Sequence, residues 1–181
     1  MAKKKNITQD KIVEWYMNSV LTSGKPNSVF SFAQECNFDE SEFYKHYASF
    51  ENLEKSIFKI FAKETIHLLH KTEAYKEFSA KDKLLSFYFT FFELLTANRS
   101  YVLLQFQGIK SDFSKLSVLK GLRTEFIHFV NGISLDKIDF KNEKINKVQD
   151  KTIAEGYWIQ LLMILKFWID DESSNFEKTD V

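Results

Sequence analysis

Six carboxylate and imidazole side chains in this chain could together hold metal ions: Glu64, His67, Glu93, Glu125, His128 and Glu155. Four of them form two Glu-x-x-His pairs, and residues i and i+3 share one face of a helix. Two such pairs with two further glutamates, distributed over four helices, are the ligand set of di-iron carboxylate sites. Short Glu/His patterns also arise readily in a chain that is 28% charged. We therefore interpret these residues, and the His67–His70 pair, as solvent-exposed helix faces and predict no metal site.

Catalytic chemistry has little support elsewhere in the sequence. It contains no recognisable set of nucleophile, base and orienting group and no glycine-rich phosphate loop, so we expect neither an enzyme nor a bound cofactor. Cys36 is the only cysteine, which excludes an internal disulfide and is consistent with a reducing cytoplasm. We interpret it as a small apolar residue rather than a redox switch. The most apolar run, Tyr157–Ile169, is too short to span a bilayer.

The elements that position these residues are predicted to be helices throughout. The 181 residues are 44% hydrophobic and include only five glycines and one proline. Long stretches show a 3.6-residue apolar periodicity, and the dipeptides typical of β-hairpins are missing. We predict an all-α fold with two short helices between residues 28 and 49 and longer helices at about residues 8–23, 50–72, 80–97, 100–107, 113–130 and 147–169.

The stretch Ser28–Leu53 carries the most specific pattern. It predicts two short helices joined by a tight turn, because Asn37 tolerates the left-handed conformation that such a turn needs. Asp39 with Glu42 forms an N-cap and capping-box pattern for the second helix, and Ser49 is placed to cap the next one. This arrangement is typical of a helix-turn-helix, whose second helix enters the DNA major groove.

The unit, preceded by a helix that ends at Gly24, resembles the N-terminal domain of TetR-family transcriptional regulators. The resemblance rests on the residues that end the second short helix and open the next, Phe43-Tyr44-Lys45-His46-Tyr47-Ala48-Ser49-Phe50-Glu51-Asn52-Leu53. It implies a three-helix DNA-binding domain over residues 1–50, joined by a long helix to a helical ligand-binding and dimerisation domain over residues 51–181. It also implies a homodimer. Because bodies of this family usually end in two helices, we expect a last helix to be missing here.

The resemblance also implies two groups of binding residues. Contacts to double-stranded DNA are expected from Lys3, Lys4, Lys5, Ser28, Ser41, Glu42, Tyr44, Lys45 and His46. Tyr47 is expected instead to close the small core of the N-terminal domain. A small apolar or lipid-like ligand is expected to bind against Phe87, Phe91, Phe106, Phe126, Phe129, Trp158 and Leu162. For these residues, tight core packing without a cavity is the alternative.

The charge of the predicted DNA-binding domain is unusual, because contacts to phosphate usually supply much of the affinity for DNA. Residues 1–55 contain seven lysines, no arginine and eight acidic residues, so their net charge is seven minus eight, or −1. The second short helix begins Asp39-Glu40-Ser41-Glu42, and both arginines, Arg99 and Arg123, lie outside this region. The sequence thus combines the pattern of a DNA-binding fold with few of the basic side chains that usually contact DNA.

A second resemblance indicates a different function. The tail Asp171-Glu172-Ser173-Ser174-Asn175-Phe176-Glu177-Lys178-Thr179 is similar to a segment ahead of the last helix of a TetR-fold lipid-binding protein of ubiquinone biosynthesis. That protein does not regulate transcription. The acidic second short helix suits this alternative, since a domain released from DNA binding need not stay basic. Binding to duplex DNA therefore distinguishes a transcriptional regulator from a lipid-binding accessory protein.

Overall fold

The computed structural model describes residues 7–107, 113–133, 143–173 and 178, and of residues 113–115, 143–148 and 150 it describes the backbone alone. Its described residues form eight α-helices and two 3-10 helices and contain no β-strand, which confirms the predicted all-α fold. The α-helices are α1 (Gln9–Ser23), α2 (Val29–Glu35), α3 (Glu40–Tyr44), α4 (Phe50–Lys71), α5 (Ala80–Ala97), α6 (Arg99–Phe106), α7 (Lys120–Gly132) and α8 (Glu143–Asp170). None of the described helices is both long and apolar enough to cross a membrane.

Local capping signals explain where the first helices begin and end. Thr8 accepts a hydrogen bond from the backbone N–H of Lys11 at the start of α1, and Gly24 ends that helix with φ 83°. Asn37 has φ 54° in the turn between α2 and α3, as predicted. Asp39 then accepts from the backbone N–H of Ser41, which confirms the predicted N-cap of α3.

Two helix boundaries differ from the sequence prediction. The segment expected to open one long helix at residue 113 is a 3-10 helix, Phe113–Leu119, and α7 begins at Lys120. The apolar residues of Phe113–Leu119 recur at every third position, which suits the three residues per turn of a 3-10 helix. The last helix begins at Glu143 rather than at residue 147, because Glu and Lys are good helix formers even without an apolar stripe. A second 3-10 helix, Glu73–Glu77, precedes α5.

The chain forms two compact units. The first comprises the described residues up to Phe58 and the described residues between Asn98 and Leu119, and it contains α1, α2, α3, the start of α4 and α6. At its centre the buried ring of Phe32 meets Tyr16, Phe38, Phe43 and Phe50 edge-on. Such T-shaped pairs are favoured by the quadrupoles of aromatic rings.

The second unit comprises Lys59–Ala97 and the described residues from Lys120 onward. In it α7 packs against α8, and α5 is joined to α8 by two long-range hydrogen bonds. The Tyr88 hydroxyl donates to Gln160 over 3.4 Å, and the indole of Trp168 donates to Thr96 over 3.1 Å. Since both pairs are 72 residues apart in sequence, α5 and α8 run in the same direction.

Candidate functional site

The outer face of α3 is the first candidate site. Phe43 is fully buried and holds the helix against α2, while Ser41, Tyr44, Lys45 and His46 are exposed. This division follows from the helical repeat, since one apolar side chain per turn faces the core and its neighbours face solvent.

The long polar side chains on this face are already engaged with other groups of the first unit. The Lys45 ammonium lies 2.6 Å from the Glu42 carboxylate, with side-chain exposures of 61% and 15%. The Tyr44 hydroxyl donates to Glu40 over 3.4 Å. His46 Nε2 lies 3.2 Å from the carbonyl oxygen of Ile7, and because a carbonyl only accepts, Nε2 is the donor. A polyanion approaching α3 would therefore compete with existing carboxylate contacts.

Other lysines of the first unit are paired in the same way. Lys25 lies 2.9 Å from Glu54, and Lys55 forms an ion pair with Glu51. Lys11 is exposed and makes no ion pair with a described residue. The predicted phosphate contacts at residues 3–5 lie outside the described residues. The described surface around α3 is thus close to electrically balanced rather than basic.

Ser28, Ser41 and Tyr47 have structural roles near this face. Ser28 caps α2 through a reciprocal box, in which its hydroxyl accepts from the Ser31 N–H over 3.1 Å and its own N–H donates to the Ser31 hydroxyl. The Ser41 N–H is the donor that Asp39 caps. Tyr47 is buried, which confirms its predicted place in the core. Its hydroxyl accepts a hydrogen bond from Gln9 and donates one to Ser56, whose own proton goes to the Leu53 carbonyl.

An aromatic cluster in the second unit is the second candidate site. Phe87 lies at its centre, with ring centroids 5.5 Å from Phe91, 5.2 Å from Phe126 and 4.8 Å from Phe129. The Trp158 ring lies 6.3 Å from Phe126. The structure thus brings together five of the seven residues predicted to contact a ligand, and their rings pack directly on one another. We call these five residues the aromatic cluster.

The remaining two predicted ligand residues have other surroundings. Phe106 belongs to the first unit, where its ring packs 5.6 Å from Phe58. Leu162 is half-buried on α8. Sequence reasoning missed Tyr88, which stacks on Phe126 at 6.1 Å and donates to Gln160, so it adds a hydroxyl to the edge of the cluster. Burial raises the pKa of Tyr88, with a smaller contribution from Tyr157. The sequence could have indicated this role, because Tyr88 directly follows Phe87 in the apolar run of α5.

The described part of the chain holds no group of three or more His, Cys, Asp or Glu residues that could bind a metal ion. Two glutamates of the six-residue set considered as metal ligands form ion pairs. Glu125 lies 3.4 Å from Lys59 and 3.9 Å from Lys63, and Glu155 pairs with Arg123. These contacts engage Glu125 and Glu155 with basic side chains.

Comparison with known proteins assigns the larger part of the chain to a family. Residues 83–181 match the family model described as the tetracyclin repressor-like C-terminal domain. No curated protein matches the chain. The matched segment covers more than half of the 181 residues and includes most of α5, all of α7 and α8 and the whole aromatic cluster. The chain therefore belongs to the tetracyclin repressor-like family.

Proposed function

We propose that the protein is a cytoplasmic, homodimeric transcriptional regulator that binds double-stranded DNA through α3 and an apolar ligand through the aromatic cluster. The observation that carries this proposal is the unit of α2, turn and α3, in which Phe43 faces inward and Ser41, Tyr44 and Lys45 face solvent. A helix presented in this way can enter a major groove. The tetracyclin repressor-like match of residues 83–181 supports a regulator with no enzymatic activity.

In this proposal the residues around α3 divide between phosphates and bases. Lys45, Tyr44, His46 and Ser28 contact phosphate, as do the lysines at residues 3–5. Ser41 and Glu42 approach base edges. Binding requires that Lys45 gives up its ion pair with Glu42 for a phosphate oxygen. The contribution of Lys45 to the free energy of DNA binding is therefore smaller than that of an unpaired lysine.

The aromatic cluster supports a ligand of low polarity. Its five side chains offer only carbon surface and the Trp158 N–H, and Tyr88 supplies one hydroxyl nearby. In one conformation of the dimer the two α3 helices are wrongly spaced for successive major grooves. If the ligand binds better to that conformation, it lowers the population of the conformation that binds DNA.

Salt-dependent DNA binding tests the proposal. A fluorescein-labelled 30-base-pair duplex of mixed sequence, followed by anisotropy, is expected to bind at low salt and to dissociate steeply as salt rises. Lys45→Ala should weaken binding and reduce the slope of log K against log salt by about one. Lys166→Ala removes a paired lysine of the second unit and should leave both values unchanged. Absence of binding at low salt would refute DNA binding.

A second candidate function is a lipid-binding accessory protein that does not bind DNA. It is favoured by the Glu42–Lys45 ion pair and by the acidic first turn of α3, which together leave little free positive charge on that face. Native mass spectrometry of the purified protein would show a co-purified lipid in either case. A lipid together with no DNA binding at low salt would support this candidate, whereas salt-dependent DNA binding would exclude it.

A further inference from the structure

A hydroxyl and an amide lie side by side at one edge of the aromatic cluster. The ring of Tyr88 stacks on that of Phe126, a member of the cluster, with centroids 6.1 Å apart. The Tyr88 hydroxyl donates to Oε1 of Gln160 over 3.4 Å. Only 9% of the Tyr88 surface is exposed, whereas Gln160 is an exposed residue of α8. We call Tyr88 and Gln160 the polar edge, because they set hydrogen-bonding groups beside the carbon surface of the cluster.

The hydrogen bond within the polar edge is weak. Hydrogen bonds between a hydroxyl and an oxygen are usually about 2.7–2.8 Å long, so the contact of 3.4 Å lies near the upper limit. Burial raises the pKa of Tyr88, with a smaller contribution from Tyr157, and the hydroxyl therefore keeps its proton at neutral pH. The Gln160 amide offers two N–H donors besides its oxygen. A ligand carbonyl can therefore replace this contact and accept from both side chains.

The helices that carry the polar edge have no charged side chain close to it in sequence. On α5 the stretch Leu84–Phe92 extends four residues to either side of Tyr88, and on α8 the stretch Gly156–Ile164 does the same for Gln160. Neither stretch contains Asp, Glu, Lys, Arg or His. Since four residues make about one helical turn, no charge of α5 or α8 lies within a turn of these two side chains.

The charged side chains that α7 carries beside Phe126 are engaged in ion pairs. Arg123 pairs with Glu155, and Glu125 lies 3.4 Å from the Lys59 ammonium. A ligand carboxylate buried without a cation loses its hydration and gains no ion pair, which costs far more than the burial of an uncharged polar group. The surroundings of the polar edge therefore select against an anionic ligand.

We propose that the aromatic cluster binds an uncharged aromatic carbonyl compound, and that Tyr88 and Gln160 determine this specificity by donating hydrogen bonds to its carbonyl oxygen. The inference rests on the ligand binding of the proposed function and adds the chemical class of the ligand. An aromatic body is favoured because the rings around Phe87 offer faces and edges to a further ring. The carbonyl gains two hydrogen bonds at the polar edge, whereas a hydrocarbon leaves both donors without a ligand partner.

Three probes with the same ring system test the ligand class. Acetylnaphthalene is an uncharged aromatic ketone, naphthoate carries a carboxylate, and ethylnaphthalene has no polar atom. All three are substituted at the same ring carbon, so they differ little in shape. Equilibrium dialysis against the full chain at neutral pH measures their dissociation constants. Acetylnaphthalene is expected to bind at least tenfold more tightly than naphthoate.

Tyr88→Phe tests the hydrogen bond while the ring stays in place. It should raise the dissociation constant of acetylnaphthalene about fivefold and leave that of ethylnaphthalene unchanged. Tyr75→Phe is the matched control, because it removes the hydroxyl of another buried tyrosine of the second unit, whose ring packs on His70 and Phe78. This control should change neither dissociation constant.

Gln160→Lys tests the role of charge at an exposed position, where the substitution leaves the core intact. A cation at the polar edge should lower the dissociation constant of naphthoate at least fivefold, because the carboxylate then gains an ion pair. Gln149→Lys adds the same charge about three turns earlier on α8 and should leave naphthoate binding unchanged. Circular dichroism of each variant monitors folding.

The outcomes separate the inference from the proposed function. Equal affinity for acetylnaphthalene and naphthoate, or no effect of Tyr88→Phe on the ketone, would overturn the inference and leave ligand binding by the cluster in place. Unchanged naphthoate binding in Gln160→Lys would overturn the role of Gln160. If the chain binds none of the three probes, both the inference and the ligand binding of the proposed function fail, and DNA binding is judged separately by its salt dependence.

Discussion

The hydroxyl of Tyr16 donates a 2.5 Å hydrogen bond to the carboxylate of Glu54, which joins the middle of α1 to the start of α4. Tyr16 is fully buried, and the same carboxylate oxygen lies 2.9 Å from the Lys25 ammonium in the connection between α1 and α2. Glu54 thus fixes α1, α4 and the entry to α2 through two contacts. Hydrogen bonds to charged groups are stronger than those between neutral groups.

Loss of the Tyr16 hydroxyl should destabilise the protein. We expect Tyr16→Phe to lower the free energy of unfolding by about 1.5–3 kcal/mol, because Glu54 loses a donor while the ring still fills its place. Urea denaturation followed by circular dichroism measures the change. Tyr44→Phe serves as control, since its exposed hydroxyl lies 3.4 Å from Glu40 and should contribute less than 0.5 kcal/mol. An equal loss in both variants would contradict the assigned role.

Tyr101→Phe should have the opposite effect. The Tyr101 side chain is almost fully buried in α6, and its hydroxyl forms no hydrogen bond with a described residue. Burial of an unpaired hydroxyl costs roughly 1–3 kcal/mol, so its removal should stabilise the protein by about 1 kcal/mol. Thermal unfolding would show a higher Tm than for the unmodified chain. A lower Tm would indicate that the hydroxyl has a partner.

Alkaline pH should unfold the protein through its buried tyrosines. Burial raises the pKa of Tyr16, Tyr75, Tyr88 and Tyr101 above the ordinary value of 10.0. The unfolded chain therefore loses these protons first, so their contribution to stability is complete below pH 10 and falls as the pH rises above it. Absorbance at 295 nm should show that these four of the seven tyrosines ionise together with unfolding. Independent, early ionisation of all seven would contradict this.

The turn between α2 and α3 should depend on Asn37. Its φ of 54° lies in the left-handed region, where asparagine and glycine are tolerated best. We expect Asn37→Ala to cost about 1 kcal/mol of unfolding free energy and Asn37→Gly to be close to neutral, as measured by chemical denaturation. If both variants behave alike, the backbone conformation at this position does not limit stability.

The aromatic cluster should contribute strongly to the stability of the second unit. Phe87 is fully buried and contacts three other rings of the cluster, so Phe87→Ala should cost about 3–5 kcal/mol. Leu162→Ala, at a half-buried position, should cost less than half as much. Calorimetry of the two variants compares these values. A small effect of Phe87→Ala would show that the cluster is loosely packed and has room for a ligand.

Local sequence signals predicted most of the helices. The caps at Asp39 and Ser49, the turn at Asn37 and the bounds of α5 follow from interactions within four residues, which the sequence contains directly. The 3-10 segment before α7 was missed, because its apolar spacing also fits one face of an α-helix. Five of the predicted ligand residues meet in one cluster because an apolar run on α5 has to pack on the apolar faces of α7 and α8.

What the sequence alone determined is the helical class, the helix caps, the turn at Asn37 and the charge balance near α3, since each depends on composition or on neighbours along the chain. Only the tertiary structure decided which distant side chains meet. Tyr16 and Glu54 are 38 residues apart, Tyr88 and Gln160 are 72 apart, and α6 joins the first unit although it follows α5 directly. Such contacts depend on how helices pack, and many pairings of apolar faces satisfy the same periodicity.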